Sequence, residues 1–546
     1  MNFYCKPLFL ATVSLTAITL GATRTSAATC ESLASLSLPN TAITGAQSVP
    51  AGTFATPTGQ VFTNMPAFCR VTGTATPTSD SDINFEVWLP ATAWNGKFNG
   101  DGNGGYGGSL ATPYQEMAVG LQREYAVAGT DMGHSASVES WALNHPEKIA
   151  DWGYRANHVT AVNAKAIIRA FYGKGPRLSY WTGCSDGGHE ALMEAERFPD
   201  DYDGIIAGAS ANYWTHQSAA WVWEEERSAL DDPTSVVPPS KLTMISHASV
   251  AQCAGQDGGL KTDAFINDPR DCHFDPAVLQ CTGPDAPTCL TAAQVQAVRE
   301  IYAGPRNPRT GEQIYPGLEP GGEYNWPGDR GSLGRDFYKF MVFNDPNWNF
   351  HTLDFDHDIA LGDAKQAAVI NSTNPDLRAF RERGGKLIMY HGWFDARVNP
   401  RNSINYYETV VRNIAGNHGR KLGDLDHGNA KHETDESLRL FMVPGMTHCL
   451  GGPGPNNFGQ PIVTPGPQTD AEHNVLSALE GWVEHGVAPE KIVATKFVND
   501  DPMQGTSFTR PLCPYPQLAV YKGVGDTTTA ANFVCVDDRD DILGKK

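Results

Sequence analysis

The feature that most constrains the fold of this chain is a serine between two glycines, in the run Gly-Cys-Ser-Asp-Gly-Gly at 183–188. The residues before it, Arg177–Gly183, are aromatic and rich in β-forming types, which predicts a short buried strand. The residues after it, His189–Phe198, place apolar side chains at helical spacing. Gly-x-Ser-x-Gly between a strand and a helix is a nucleophile elbow, a strained turn from which the serine Oγ projects above the sheet. We therefore predict that Ser185 is a nucleophile; the alternative is a glycine-rich turn with a solvated serine.

A serine nucleophile needs a base, and the base needs an acid that orients it. In chains with this elbow the order is serine, then acid, then histidine. Asp395 follows an apolar strand predicted at 386–390, and His448 follows another at 440–443. Both lie just past the end of a predicted strand, where open α/β sheets place their functional residues. His391 is the nearest competing histidine, but it precedes Asp395 on the same predicted loop and breaks the expected order.

Two cysteines stand beside these candidates, because Cys184 precedes Ser185 and Cys449 follows His448. If the hydroxyl and the imidazole lie within hydrogen-bond distance, the cysteines are close as well. A disulfide needs Cα atoms about 4.4–6.8 Å apart, which that arrangement supplies. We therefore predict a Cys184–Cys449 bridge that joins the elbow to the base loop; the alternative is two unrelated cysteines.

Similarity to a known family rests on three stretches: GCSDGGHEALMEAERFPDDYDGIIAGASANYW from Gly183, YHGWFDARVNP from Tyr390 and VPGMTHCLGGPGP from Val443. Together they resemble the tannase and feruloyl esterase family of secreted serine esterases, which also contains the hydrolase of mono(2-hydroxyethyl) terephthalate. The resemblance extends over nearly the whole chain after residue 30. It implies an α/β-hydrolase fold, a bridge between Cys184 and Cys449, and a catalytic triad made of Ser185, Asp395 and His448.

The cysteine count fits an oxidising compartment. There are eleven cysteines, of which Cys5 lies in an N-terminal segment expected to be removed, so an even number remains. Spacing alone leaves many pairings open. Chain order and the resemblance together imply the pairs Cys30–Cys69, Cys184–Cys449, Cys253–Cys272, Cys281–Cys289 and Cys513–Cys535.

The N-terminal segment predicts export. An apolar stretch from Leu8 to Leu20 follows Lys6, and small residues follow near Ala27, so 1–27 has the form of a secretory signal peptide. A transmembrane anchor is the alternative, but the apolar stretch is short for it. The formal charge of −20 argues against nucleic acid or an anionic membrane as partner. We expect a secreted or periplasmic protein.

A glycine-rich run, GDGNGGYGG at 100–108, has two interpretations. Its G-x-G-x-x-G spacing from Gly102 matches a dinucleotide-binding loop, but no clear βαβ unit with a well-placed acidic residue follows. An exported, disulfide-rich chain also argues against a diffusible nicotinamide cofactor. We interpret the run as an oxyanion loop, in which Gly104 or Gly105 acts with the backbone N–H of Asp186. The sequence does not separate the two glycines.

Roughly 200 residues separate the elbow from Asp395, far more than one connection in such a sheet needs. This predicts an α/β-hydrolase core at 28–211 and 371–546 with a large inserted lid domain at 212–370. The resemblance implies that the lid covers the active site. Its aromatic residues are candidates for the substrate pocket or for the core of the lid: Trp214, Trp221, Trp223, Phe337, Phe340 and Trp348.

The lid carries the stretch CAGQDGGLKTDAFINDPRDC at 253–272, where the resemblance implies a structural calcium loop. Asp257 and Asp263 match two of its aspartates. The aspartate expected directly after the first cysteine is Ala254 here, and two extra residues are inserted around 259–260. The ligand set is therefore thin for an ion that takes six to eight oxygens. The alternative is a disulfide-closed loop without metal. No cofactor is expected for catalysis itself.

These features predict a secreted serine carboxylic ester hydrolase that cleaves esters of aromatic acids, feruloyl, galloyl or related, through an acyl-enzyme. The expected substrate is a small aromatic ester or an ester of a plant polymer. The alternative function is a catalytically inactive secreted protein that binds carbohydrate or polymer on the same fold. The presence of all three triad residues argues against that alternative.

Overall fold

The computed structural model describes residues 1, 28–136, 140–225, 234–326, 332–417, 427–463 and 466–537. The predicted signal peptide, 1–27, lies outside the described residues apart from Met1. Within the described ranges, no helix combines the length and the apolar character that crossing a membrane requires.

The strands within these ranges are β1 (Thr41–Val49), β2 (Gly52–Ala55), β3 (Val61–Met65), β4 (Phe68–Ala75), β5 (Ile83–Pro90), β6 (Lys97–Asp101), β7 (Ala126–Thr130), β8 (Leu178–Cys184), β9 (Gly204–Gly208), β10 (Lys386–Gly392), β11 (Leu438–Val443), β12 (Ile492–Phe497), β13 (Thr506–Leu512), β14 (Gln517–Tyr521) and β15 (Phe533–Asp537). The α-helices are α1 (Ala111–Gln122), α2 (Pro146–Ala150), α3 (Ala156–Tyr172), α4 (Asp186–Arg197), α5 (Trp214–Glu225), α6 (Pro239–Cys253), α7 (Ala292–Ala303), α8 (Ser332–Asp336), α9 (His357–Gly362), α10 (Ala368–Ile370), α11 (Arg378–Glu382), α12 (Arg401–Asn417), α13 (His427–Asp435) and α14 (Val475–His485).

Nine strands form one sheet in the order β1-β4-β5-β7-β6-β8-β9-β10-β11. Neighbours from β7 to β11 are parallel, and the β1, β4 and β5 end is antiparallel. One apolar core lies against α3, α4 and α12, and a second lies against α1 and α14. The central strands are buried along their length because helices cover both faces of the sheet. This architecture confirms the predicted α/β-hydrolase fold.

The chain changes direction across the sheet between β6 and β8. From β6 the chain passes through α1 to β7 on one side, and from β8 it passes through α4 to β9 on the other. Such a switch point leaves a crevice at the carboxyl ends of the strands. Because β6 ends at Asp101 and β8 ends at Cys184, the glycine-rich loop and Ser185 meet in that crevice.

The elbow is strained at the serine itself. Ser185 has φ 67° and ψ −118°, a left-handed conformation that side chains rarely adopt. The flanking glycines serve close packing, because a Cβ on Gly183 would lie 2.3 Å from the carbonyl oxygen of Gly187. A Cβ on Gly102 would lie 2.6 Å from the Cα of Gly187. The absence of side chains at these glycines therefore allows the glycine-rich loop to contact the elbow. The sequence had indicated only that the glycines permit a tight turn.

The predicted elements around the site form with small differences in extent. The helix after the elbow begins at Asp186, three residues earlier than the apolar spacing indicated. Strand β10 continues to Gly392, so His391 lies in the strand and not in the loop with Asp395 as predicted. Backbone pairing with β11 extends the strand, since His391 lies opposite Met442 in the register.

The long insertion adds no strand to the main sheet in its described residues. Strand β9 ends at Gly208 and β10 begins at Lys386, and helices α5 to α11 lie between them. The lid boundaries at 212–370 stay a prediction.

All five predicted disulfide pairs form, over Cα separations of 4.9 to 6.0 Å. Two of them, Cys253–Cys272 and Cys281–Cys289, link residues within the insertion.

Candidate active site

Three loops at the carboxyl edge of the sheet bring Ser185, His448 and Asp395 together. Ser185 follows β8, Asp395 follows β10 and His448 follows β11. His448 Nε2 lies 2.8 Å from Ser185 Oγ, and His448 Nδ1 lies 2.7 Å from Asp395 Oδ2. This is the arrangement in which an imidazole removes a hydroxyl proton while a carboxylate orients the ring.

Asp395 is fully buried and held from both of its oxygens. Its Oδ1 accepts the backbone N–H groups of Arg397 at 2.7 Å and Val398 at 3.0 Å. Burial alone would raise the pKa of Asp395, but the charge of His448 and hydrogen bonds from His391 and His448 lower that pKa below its ordinary value. The group therefore stays a carboxylate, the form that can stabilise an imidazolium at His448.

His391 lies behind Asp395 and completes its set of donors. His391 Nε2 is 3.1 Å from Asp395 Oδ2 and 2.9 Å from the carbonyl oxygen of Val398. Because Nε2 faces two acceptors, it carries the hydrogen, and Nδ1 accepts from the hydroxyl of Ser403 at 2.8 Å. The histidine weighed from sequence as a rival to His448 thus supports the acid.

The Cys184–Cys449 bridge lies next to the serine and the histidine, and both cysteines line the same cavity as those two residues. Its Cα atoms are 6.0 Å apart, and both cysteines are buried. It joins the end of β8 to the loop after β11, so the chain neighbours of Ser185 and His448 are covalently connected.

The glycine-rich loop lines the same cavity as Ser185, through Gly104 and Gly105 among others. The Gly104 N–H donates to Asn103 Oδ1 at 3.1 Å, whereas the Gly105 N–H has no acceptor among the described residues. The Asp186 N–H opens α4 and so has no acceptor within the helix. Of the two glycines predicted as oxyanion donors, Gly105 is therefore the one whose N–H stays free, and the Asp186 N–H has no intrahelical acceptor either.

A buried glutamate on the elbow helix holds this loop in place. Glu190 Oε2 accepts the backbone N–H of Asn103 at 2.9 Å, and Asn103 Nδ2 donates to the carbonyl oxygen of Thr130 at 2.8 Å. Burial, and then the nearby Asp186 carboxylate, raise the pKa of Glu190 to about 8.

A cavity of about 300 Å³ opens above Ser185. Trp214 and Trp221 of α5 and Leu333 of α8 give it an apolar wall, and Glu116 and Arg397 are its charged side chains. Of the six lid aromatics considered from sequence, Trp214 and Trp221 line it. The other four pack elsewhere in the insertion or are buried there: Trp223, Phe337, Phe340 and Trp348.

The glycine-rich loop also contacts the insertion. The Tyr106 hydroxyl donates to the carbonyl oxygen of Leu333 at 2.8 Å, and the Tyr106 ring stacks on Trp214 with centroids 5.1 Å apart. One wall of the cavity is thereby fastened to the loop that carries Gly105.

The family model for tannase and feruloyl esterase matches residues 69–536. The chain belongs to the tannase and feruloyl esterase family. An uncharacterized esterase of Xanthomonas campestris pv. campestris is 44% identical over 540 residues, 94% of this chain and 92% of that relative. A probable feruloyl esterase B-2 of Aspergillus terreus is 32% identical over 528 residues, 93% of this chain and 95% of that relative.

Solved structures agree with this assignment. Feruloyl esterase B from Aspergillus oryzae superposes with a TM-score of 0.84 at 30% identity, covering 93% of this chain and 99% of that chain. Tannin acyl hydrolase from Aspergillus niger gives a TM-score of 0.72 at 22% identity, with 93% of each chain covered, and supports the fold. This tannase and feruloyl esterase family member is a carboxylic ester hydrolase.

The two aspartates expected to bind calcium accept hydrogen bonds from N–H groups in this family member. Both oxygens of Asp257 accept backbone N–H groups, at 2.7 and 3.2 Å. One oxygen of Asp263 accepts a backbone N–H at 3.1 Å, and the other accepts Arg510 Nη2 at 2.9 Å. In the described part of the chain, no three His, Cys, Asp or Glu side chains cluster in a way that could hold a metal ion. The loop uses its carboxylates on N–H donors and on one guanidinium.

The sequence did not indicate Glu116 or Glu190 as residues of the site, and it did not indicate that His391 supports Asp395. Glu190 carried no local signal, since a glutamate on a helix is rarely buried and the adjacent apolar residues do not show that it is. His391 stands in the quoted stretch YHGWFDARVNP, but the chain order of the triad served only to exclude it. Glu116 lies in an ordinary helical pattern with no local sign of its exposure to the cavity.

Proposed function

We propose that this family member is an exported serine esterase that hydrolyses esters of aromatic acids through an acyl-enzyme. The observation that carries the proposal is the hydrogen-bonded series from Ser185 Oγ through His448 to Asp395, at 2.8 and 2.7 Å. This series lies at the base of a cavity with an indole wall, and that wall favours an aromatic substrate.

The reaction follows from the positions of these atoms. His448 Nε2 takes the Ser185 proton as Oγ attacks the ester carbonyl carbon, and Asp395 stabilises the imidazolium that forms. The oxyanion accepts hydrogen bonds from the N–H groups of Gly105 and Asp186. Collapse of the tetrahedral intermediate breaks the bond to the alcohol oxygen, which takes the proton from His448. Water then attacks the acyl-enzyme with His448 again as base, releasing the acid and free Ser185.

The apolar wall supports the proposal that the acyl group of the substrate is aromatic. The indole rings of Trp214 and Trp221 favour flat aromatic groups. Contact between aromatic rings adds binding free energy beyond that of the apolar area buried. The names of the Aspergillus relatives, feruloyl esterase B and tannin acyl hydrolase, point to the same class of acyl group. The five disulfides support export to an oxidising compartment.

A kinetic panel tests this proposal. We expect kcat/KM for methyl ferulate, methyl gallate, chlorogenate or mono(2-hydroxyethyl) terephthalate to exceed that for an aliphatic methyl ester of similar size. An activated aryl ester should give a burst of alcohol product equal to the enzyme concentration, and Ser185→Ala should lose the burst and about a thousandfold or more in kcat. Equal rates on aliphatic esters would contradict the aromatic assignment. A Ser185→Ala variant that keeps its burst would contradict the serine mechanism.

A further inference from the structure

Glu116 places a carboxylate in the wall of the Ser185 cavity. It lies in the second turn of α1, one helical turn after Thr112, and both side chains line the cavity. One carboxylate oxygen of Glu116, Oε1, accepts the backbone N–H of Ile462. This contact fixes the side chain in one position, with its head group at the cavity surface.

The second carboxylate oxygen of Glu116 has no partner. In the described part of the chain, Oε2 accepts no hydrogen bond and Glu116 forms no ion pair, not even with Arg397, the other charged side chain of the cavity. Its electrostatic neighbours include the acidic groups Asp101 and Tyr390. The free oxygen is therefore open to a hydrogen-bond donor from a bound molecule, which an apolar residue at this position would not offer.

Burial raises the pKa of Glu116 to about 7, against a smaller lowering by the Ile462 N–H. Both protonation states are therefore populated near neutral pH. A hydroxyl group can bond to either state, since it donates to a carboxylate oxygen and accepts from a carboxylic acid. A cationic ligand would interact well with the ionised form alone.

We propose that Glu116 is a specificity-determining residue that hydrogen-bonds a hydroxyl group of the ester substrate. The inference rests on the proposed function, because it assigns a recognition group to the cavity in which Ser185 would act. The hydroxyl can belong to the acyl half, as on a phenolic ring, or to the alcohol half. Both sources share one chemistry, a hydroxyl that meets the unpartnered Oε2.

Two pairs of cinnamate esters separate these sources. The acyl pair is methyl 4-hydroxycinnamate and methyl cinnamate, and the alcohol pair is 2-hydroxyethyl cinnamate and propyl cinnamate. In the wild type, we expect the hydroxylated member of one pair to be preferred by about tenfold or more in kcat/KM, since a site that hydrogen-bonds a substrate hydroxyl discriminates against the analogue that lacks it. No preference in either pair would overturn the proposal without any need for a variant.

Three variants then identify the residue responsible. Glu116→Leu should reduce the preference at least severalfold, mainly through the hydroxylated substrate, and Glu116→Gln should retain part of it because an amide still bonds a hydroxyl. Glu124→Gln is the matched control, since it removes the same charge from an exposed residue just after α1. A preference that survives unchanged in Glu116→Leu would overturn the proposal, as would an equal loss for both members of the pair.

The same experiment tests the proposed function independently of Glu116. Hydrolysis of methyl cinnamate that Ser185→Ala abolishes supports the serine mechanism, whatever the outcome at Glu116. If Glu116→Leu fails to fold, as judged by its melting curve, Glu116→Ala replaces it, and we expect the same loss of preference because alanine offers no acceptor. A preference that survives unchanged in Glu116→Ala would then overturn the proposal.

Discussion

The Cα atoms of Cys184 and Cys449 lie 6.0 Å apart, so one disulfide joins the residue before Ser185 to the residue after His448. The two cysteines are 265 positions apart in the chain. The bridge therefore constrains both the unfolded chain and the distance between the serine and the histidine. These two effects have different measurable consequences.

Removing this bridge should reduce kcat more than it changes KM. In the double variant Cys184→Ala with Cys449→Ala, we expect kcat to fall about tenfold to a hundredfold at temperatures where the protein stays folded, because small misplacements of reacting groups are costly. The free energy of unfolding should also fall, towards the upper end of about 2–5 kcal/mol for so long a loop. Steady-state kinetics and melting curves measure both.

The control is the double variant Cys281→Ala with Cys289→Ala, which removes a bridge between cysteines eight positions apart in the insertion and should leave kcat unchanged. A wild-type kcat in the Cys184→Ala and Cys449→Ala variant would show that this bridge stabilises the fold but does not position the serine and the histidine.

Replacing His391 should slow the reaction without weakening substrate binding. His391→Phe removes the donor 3.1 Å from Asp395 Oδ2, and we expect kcat to fall about tenfold or more with KM nearly constant, as for loss of a hydrogen bond to a charged group. His391→Gln keeps an N–H donor and should recover much of the rate. Ser403→Ala, which frees only the far nitrogen of the ring, should have a smaller effect. If His391→Phe and His391→Gln behave alike, the hydrogen bond to Asp395 is not what matters.

Glu190 should make stability depend on pH. Burial raises its pKa from the ordinary value of 4.5 to about 8, so the folded state favours the protonated form. The stabilisation that this group provides is complete below the ordinary pKa and is lost as the pH rises towards about 8, by up to about 1.4 kcal/mol per pH unit. Glu190→Gln keeps an acceptor for the Asn103 N–H but cannot ionise. Its free energy of unfolding, minus that of the wild type, should therefore increase between pH 5 and pH 8 in urea titrations. A constant difference across that range would refute the assignment.

The loop at 253–272 should owe its stability to Arg510 and not to calcium. Both Arg510 and Asp263 are nearly buried, with side chains 7% and 9% exposed, and they pair at 2.9 Å. Arg510→Met leaves an unpaired buried carboxylate and should cost about 3 kcal/mol. Adding Asp263→Leu should recover part of that loss, since the unpaired charge is then gone. A chelator should leave the wild-type melting curve unchanged. A lower melting temperature in chelator, together with calcium in the purified protein, would contradict this account.

Local sequence sufficed for the elements that surround the site. The elbow, its strand and its helix follow from a short run of glycines, β-formers and helically spaced apolar residues around Ser185. The order of serine, acid and histidine then selected Asp395 and His448, because each follows an apolar strand whose carboxyl end must reach the same edge of the sheet. Chain order and the resemblance together supplied the other four disulfide pairs, which spacing alone left open.

Other features were decided by contacts between segments far apart in the chain. Which glycine keeps a free N–H depends on the Asn103 side chain, and the approach of the glycine-rich loop to the elbow depends on Gly102, Gly183 and Gly187 having no side chain. Asp263 was matched to a metal site, but it pairs with Arg510, 247 residues away.

The sequence by itself determined the fold class, the three residues of the proposed triad and the bridge beside them, since each depends on a local pattern at a strand end. Only the tertiary structure decided that His391 supports Asp395, that Glu190 holds the glycine-rich loop and that Glu116 faces the cavity. The physical reason is that burial and hydrogen-bond partners come from packing between distant segments. A helical pattern tells which face of α1 is polar, but not that the loop at Ile462 takes one oxygen of Glu116 and leaves the other at the cavity surface.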